Sequence, residues 1–130
     1  GIRNILKSAL GETWNVSKRS YEVHPLKSAT PDVVFSRDHQ VEIVGDIKYK
    51  VATEWGRLHA DVYQSIYFAT AAEVKHSLII AFATDGRVSF PQLRVGTNTV
   101  DGIIWDASKK TTPADARHRF TEEVRTLLSI

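Results

Sequence analysis

The chain has 130 residues, of which 42% are hydrophobic and 25% are charged, and its formal net charge is +2. This length and balance predict one globular domain with its own core, and they exclude a strongly basic tail. The absence of cysteine excludes disulfides, thiolate zinc sites and iron–sulfur clusters. No apolar run approaches the ~20 residues of a transmembrane helix, and no signal peptide is visible, so we expect a cytoplasmic protein without a membrane partner.

The first segment has the periodicity of a helix. The apolar residues of 2–10 fall on one face, and Gly11 ends the pattern. Because the chain begins at Gly1 and contains no methionine, we expect residues 1–130 to be a single domain cut from a longer protein. A first strand is predicted at 21–23.

A hairpin is predicted next, over residues 33–48, because two apolar runs flank a short polar link. Side chains alternate between the faces of a strand, so a register that pairs Val34 with Val44 places Asp32 opposite Asp46. Lys48 shares the face of Asp46, whereas Ile47 points into the core. Since cross-strand neighbours lie about 5 Å apart, both carboxylates can reach one hard cation.

The rest of the chain alternates helices and strands. The helix at about 57–74 is apolar on two sides, so we expect it to be sandwiched, with Gln64 in a confined space. Thr112 and Pro113 have the residue types of a cap and a first helical position. Strands flanked by helices predict an α/β fold with a central mixed β-sheet. The further strands are predicted at 77–83, 88–90 and 100–105, with a turn at 85–86 and a loop at 51–56.

The residues around the hairpin have the chemistry of metal-assisted phosphodiester hydrolysis. That reaction needs carboxylates to hold a divalent cation and a group to handle the attacking water. We predict that Asp32, Asp46 and the carbonyl oxygen of Ile47 bind the metal and that Lys48 orients or activates the water, or stabilises charge on the phosphate. Ligands that are all oxygen favour Mg²⁺, with Mn²⁺ as a substitute, over zinc. Lys50 has the strand parity of Lys48 and is a candidate phosphate contact.

These motifs resemble the PD-(D/E)XK nuclease superfamily, in which an Asp that often follows Pro precedes an acidic residue and a Lys on the next strand. Here the motifs are Pro31-Asp32 and Asp46-Ile47-Lys48. The segment from Asp61 to Ala69 resembles the helix that carries a Gln and a Tyr in RecB-type members. Together the motifs are most similar to the nuclease subunit (McrC) of McrBC-type modified-cytosine restriction systems, over residues from about 20 to 106.

The resemblance implies a restriction-endonuclease-like core and a metal-dependent DNA endonuclease, with a separate GTPase or ATPase motor subunit as partner. It implies that Gln64 orients substrate or water and that Tyr67 supports the side of the site on which Gln64 lies. Superfamily members often supply another acid from the first helix, but residues 2–10 contain none. Glu12, just past that helix, is the nearest candidate. The implied catalytic residues are Asp32, Asp46, Lys48 and Gln64, and the implied substrate contacts are Lys50 and Tyr67.

Other functions remain open at this point. A nucleic-acid-binding module could keep the fold without cleaving, and its DNA binding would be indifferent to Asp46→Ala. A docking domain for a motor protein would not bind DNA without its partner. Within the nuclease class, an exonuclease of a DNA repair complex would leave closed circular DNA intact.

Overall fold

The structure is a computed structural model that describes residues 1–51, 59–84 and 89–129. It contains an α/β arrangement that begins with a helix and ends with a helix. The elements are α1 (Ile2–Leu10), β1 (Asn15–Ser17), β2 (Tyr21–Val23), β3 (Leu26–Ala29), β4 (Val33–Arg37), β5 (Gln40–Val51), α2 (His59–Ala71), β6 (His76–Ala83), β7 (Ser89–Val95), β8 (Asn98–Asp106) and α3 (Pro113–Leu128).

The central sheet has six strands in the order β1-β4-β5-β6-β8-β7. Strands β5, β6 and β8 are parallel, and β1, β4 and β7 pair antiparallel at the two sides. The continuous apolar run of β6 occupies an interior position, as expected for a strand covered on both faces. The mixed sheet flanked by helices confirms the predicted fold class and is consistent with a restriction-endonuclease-like core.

The two faces of the sheet are buried by different helices. On one face, α1 and α3 pack onto the sheet, where Leu6, Phe120 and Leu78 are fully buried. On the other face, α2 packs through Phe68 against a cluster that includes Val44. Strand β5 is an interior strand of the sheet, and the sheet lies between the two layers of helices. The backbone of β5 therefore has little freedom, and its side chains are held in place.

The helices agree with their predicted periodicity and cap. Helix α1 has the predicted bounds, and the Thr112 side chain accepts a hydrogen bond from the backbone nitrogen of Asp115 at the start of α3. Helix α2 ends at Ala71, earlier than predicted, because Glu73 has a positive φ of 58° that a helix cannot accommodate. Within the described ranges, no helix is both long enough and apolar enough to cross a membrane.

The register between β4 and β5 agrees with the prediction. Val34 pairs with Val44 and Phe35 pairs with Ile43, and a bulge follows toward the turn. Gly45 is required at this point because a Cβ there would lie 2.6 Å from Cγ1 of Val33. The close approach of the two strands next to Asp46 therefore depends on a residue without a side chain.

Several predictions of strands and loops need correction. The strands β1 and β3 were not predicted, since three or four residues are too few for a clear alternation. The predicted first strand at 21–23 pairs with β3 in a separate two-stranded sheet. Strand β7 continues to Val95, and Pro91 is compatible with it because β7 lies at the edge of the sheet. The loop predicted at 51–56 is wrong at Val51, which belongs to β5, while 52–58 and the turn at 85–86 lie outside the described residues.

Candidate active site

The two aspartates of the motifs lie together at the start of β4 and in the middle of β5. Oδ2 of Asp32 accepts a hydrogen bond of 2.7 Å from the backbone nitrogen of Ile47. This bond fixes the Asp32 carboxylate against β5, one residue from Asp46. The carboxyl groups of Asp32 and Asp46 are close enough to hydrogen bond when one is protonated. The structure thus brings together the pair that alternation placed on one face.

Asp46 is a buried acid in an unfavourable environment. Its side chain is nearly inaccessible, and among the described residues its Oδ2 atom has no hydrogen-bond donor with suitable direction. Burial, followed by the neighbouring Asp32 carboxyl, raises the pKa of Asp46 to about 6, although Lys48 acts in the opposite direction. A buried oxygen of this kind, beside a second carboxylate, is suited to a cation.

Lys48 connects Asp46 to helix α2. Its Nζ atom lies 2.8 Å from Oδ2 of Asp46 and 3.3 Å from Oδ1 of Asp61, and it donates a 2.6 Å hydrogen bond to Oε1 of Gln64. Partial burial lowers the pKa of Lys48, but the contacts with Asp46 and Asp61 outweigh burial, so that pKa lies above its ordinary value. Lys48 is therefore an ammonium that can donate hydrogen bonds and cannot accept a proton.

Asp61 is a residue of this cluster to which the sequence interpretation gave no role. It lies three residues before Gln64 on α2, so both side chains can reach Lys48 from the same side of the helix. The spacing was visible in the sequence. The sequence alone did not show that Asp61 would face β5, because that depends on how the helix packs.

Gln64 reaches the site from a more open position than predicted. Its side chain is exposed, so the expectation of a confined space is wrong. The reason is that α2 buries Phe68 and Ala69 against the sheet, which leaves Gln64 toward solvent. Tyr67 is 39% exposed on the same helix, and its ring packs against Phe68 with centroids 6.1 Å apart. The catalytic role of Gln64 and the supporting role of Tyr67 stay predictions.

Two other candidates are Glu12 and Lys50. Glu12 follows α1 and lines a separate cavity of about 470 Å³ with Trp14 and Arg125, so it does not supply the additional acid. The backbone of Lys50 belongs to β5, but its side chain lies outside the described part of the structure. Its contact with phosphate stays a prediction.

The donor set fits Mg²⁺. Asp46 offers a buried oxygen whose near neighbour is the ammonium of Lys48, Asp32 stands beside it, and the pairing of β5 with β6 becomes irregular directly after Ile47. Within the described ranges, no group of three or more acidic or histidine side chains is placed to hold a metal. Two carboxylates with a peptide carbonyl suit Mg²⁺, because this ion keeps several of its waters in protein sites.

Comparison with known proteins shows the fold. No protein-family model matches the sequence, and no curated protein is significantly similar to it. A similar chain occurs in a solved structure described as a refined half-complex from the tetradecameric assembly of Thermococcus gammatolerans McrB AAA+ hexamers with bound McrC. The TM-score is 0.69 at 17% sequence identity, and the match covers 98% of this chain but 31% of the other.

Proposed function

We propose that this chain is the DNA-cleaving domain of a metal-dependent endonuclease of the PD-(D/E)XK type, acting in a McrBC-like restriction system. The observation that carries the proposal is the convergence of Asp32, Asp46, Lys48 and Gln64 at one point of the fold. These are the residues that the motifs select, and they come from three separate elements. A solvated strand face would not explain a buried Asp46 beside a second carboxylate, with a lysine held by helix α2.

The residues have distinct tasks in this proposal. Asp32 and Asp46 would hold Mg²⁺ with the Ile47 carbonyl, and Mn²⁺ can substitute. The bound ion would supply a Lewis acid and a water of lowered pKa. Lys48 donates to the attacking water or to the phosphate oxygen that gains charge during in-line displacement. Gln64 orients the ammonium of Lys48 by accepting its hydrogen bond, and the carboxylate of Asp61 keeps Lys48 charged.

The proposed partners are DNA and a separate GTPase or ATPase motor subunit. The motor is proposed because the structural neighbour comes from an assembly of McrB AAA+ hexamers with bound McrC. This chain spans 31% of the matched chain, so functions of the remaining length are not carried over. We propose a cytoplasmic setting, in which a restriction system meets foreign DNA.

The metal site is tested first, because it does not depend on a partner subunit. A crystal soaked in Mn²⁺ should show an anomalous peak within ~2.0–2.3 Å of carboxylate oxygens from Asp32 and Asp46. The control is a crystal of Asp46→Asn soaked in the same way, which should lose the peak. An empty site in the unaltered protein, with both carboxylates converging, would contradict metal-dependent cleavage by this chain.

Cleavage is tested with covalently closed circular DNA and Mg²⁺, with and without a motor subunit. We expect nicked or linear products from the unaltered chain and none from Asp46→Asn, while Asp38→Asn in the exposed β4–β5 turn should retain activity. Products only from linear DNA would favour an exonuclease. DNA binding that is unchanged by Asp46→Ala, without cleavage in any condition, would favour the non-catalytic alternative.

A further inference from the structure

A second pocket lies on the other side of the strand that carries the candidate site. It has a volume of about 220 Å³ and lies beside α1. Asp32 and Ile47 belong to its wall, so the pocket and the acid pair share the same short piece of backbone. Its lining includes Arg3, Lys7, Lys18, Asp32, Ile47 and Tyr49.

The pocket collects more positive than negative charge. Arg3 and Lys7 lie one helical turn apart on α1, and Lys18 joins them from the segment after β1. Within residues 1–51, 59–84 and 89–129, none of these three cations forms an ion pair. Like charges at this helical spacing are destabilising, so the arrangement favours a bound anion that relieves the repulsion.

The single acid in the wall offsets at most one of the three positive charges. Oδ2 of Asp32 is already engaged by the backbone nitrogen of Ile47, and the same carboxyl faces Asp46. Where the sequence interpretation looked for an additional acid on the first helix, α1 therefore presents cations to Asp32. An anion held there would lie beside the aspartates rather than compete with them for the metal.

Tyr49 gives the pocket an apolar wall. Its side chain is 71% exposed, and its ring stacks on Phe82 with centroids 5.7 Å apart and an interplanar angle of 24°. The stacking supports one face of the ring and leaves the rest accessible. A rigid aromatic surface next to three cations suits a ligand that combines a phosphate with a sugar.

We propose that this pocket binds a backbone phosphate of the DNA strand that flanks the phosphate to be cleaved, with Tyr49 against the adjoining sugar. The inference rests on the proposed function, and it names a substrate-positioning site. Arg3, Lys7 and Lys18 would bind the flanking phosphate, while the scissile phosphate lies across the Ile47 backbone at Asp46. Such an interaction fixes the position of the DNA strand relative to the protein and carries no information about base sequence.

The test is DNA binding by fluorescence anisotropy in EDTA over a range of salt concentrations. The test variant is the triple substitution Arg3→Gln, Lys7→Gln and Lys18→Gln. All three side chains are exposed, so the core should be unaffected, which circular dichroism and thermal unfolding would check. The matched control removes the same charge from exposed positions outside the pocket by Lys27→Gln, Arg94→Gln and Arg117→Gln.

We expect the test variant to raise the Kd by about tenfold or more and to reduce the salt slope by about one for each phosphate that the protein no longer neutralises. The control should change the Kd by less than about threefold, because it alters only long-range attraction. Tyr49→Ala should weaken binding by about threefold with an unchanged salt slope, because it removes an uncharged group.

The outcomes separate this inference from the proposed function. If the unaltered chain binds DNA and the two triple variants weaken it equally, the phosphate site is refuted while the DNA substrate stands. If the unaltered chain does not bind DNA at all, the DNA substrate and the phosphate site are both refuted. Weaker binding confined to the test variant, with folding intact, supports both.

Discussion

Replacing Asp46 by Asn should stabilise the metal-free protein at alkaline pH, although it removes a residue of the candidate site. Asp46 is buried, and its pKa is raised from 3.8 to about 6 in the folded state. A carboxyl whose pKa rises on folding favours the folded state at low pH, and this contribution is lost as the pH rises through about 6. Asn resembles the protonated acid in shape and cannot ionise.

The magnitude follows from the same shift. A difference between 3.8 and about 6 corresponds to about 3 kcal/mol of unfolding free energy at pH 8. For a domain of 130 residues, this would raise the Tm by about 10 °C. Below pH 4 the two proteins should be equally stable, because Asp46 is then protonated in both the folded and the unfolded state.

Urea and thermal unfolding of both proteins at several pH values between 3 and 8, in EDTA, measure this difference. The control is Asp38→Asn, since Asp38 is exposed in a turn with a positive φ of 54° that Asn also tolerates. Added Mg²⁺ should stabilise the unaltered protein and shrink the difference, because binding favours the ionised pair. If Asp46→Asn were less stable than the unaltered chain at pH 8 in EDTA, the assignment of Asp46 as a buried acid with a raised pKa would be wrong.

Three further substitutions probe other parts of the argument. Gly45→Ala should destabilise by about 1–3 kcal/mol in urea unfolding, because a Cβ would lie 2.6 Å from Cγ1 of Val33; no loss of stability would refute the close approach of the strands. Thr112→Ala should cost about 1 kcal/mol through loss of the α3 cap, and Thr112→Ser should restore it. Gln64→Leu should lower the cleavage rate by about tenfold to 100-fold by releasing Lys48, with a stability change under about 0.5 kcal/mol because Gln64 is exposed. An unchanged rate would remove Gln64 from the mechanism.

Alternation along β4 and β5 was sufficient to predict the hairpin register and the meeting of Asp32 with Asp46. The reason is that a strand has only two faces, and a slip by one residue would exchange them. The cap at Thr112 and the helix at 2–10 were predictable for a similar reason, since both depend on residues a few positions apart.

Long-range packing determined the remaining features of the site. The order of strands places β6 beside β5 and β8 beside β6, and no local pattern encodes that order. The rotation of α2 on the sheet turns Asp61 toward Lys48 and leaves Gln64 exposed, although the helix is apolar on two sides. The pocket of Arg3, Lys7 and Lys18 forms because residues of α1 and Asp32 line the same space. Contacts within one element follow from the period of that element, whereas contacts between elements depend on burial summed over the whole core, which no single segment specifies.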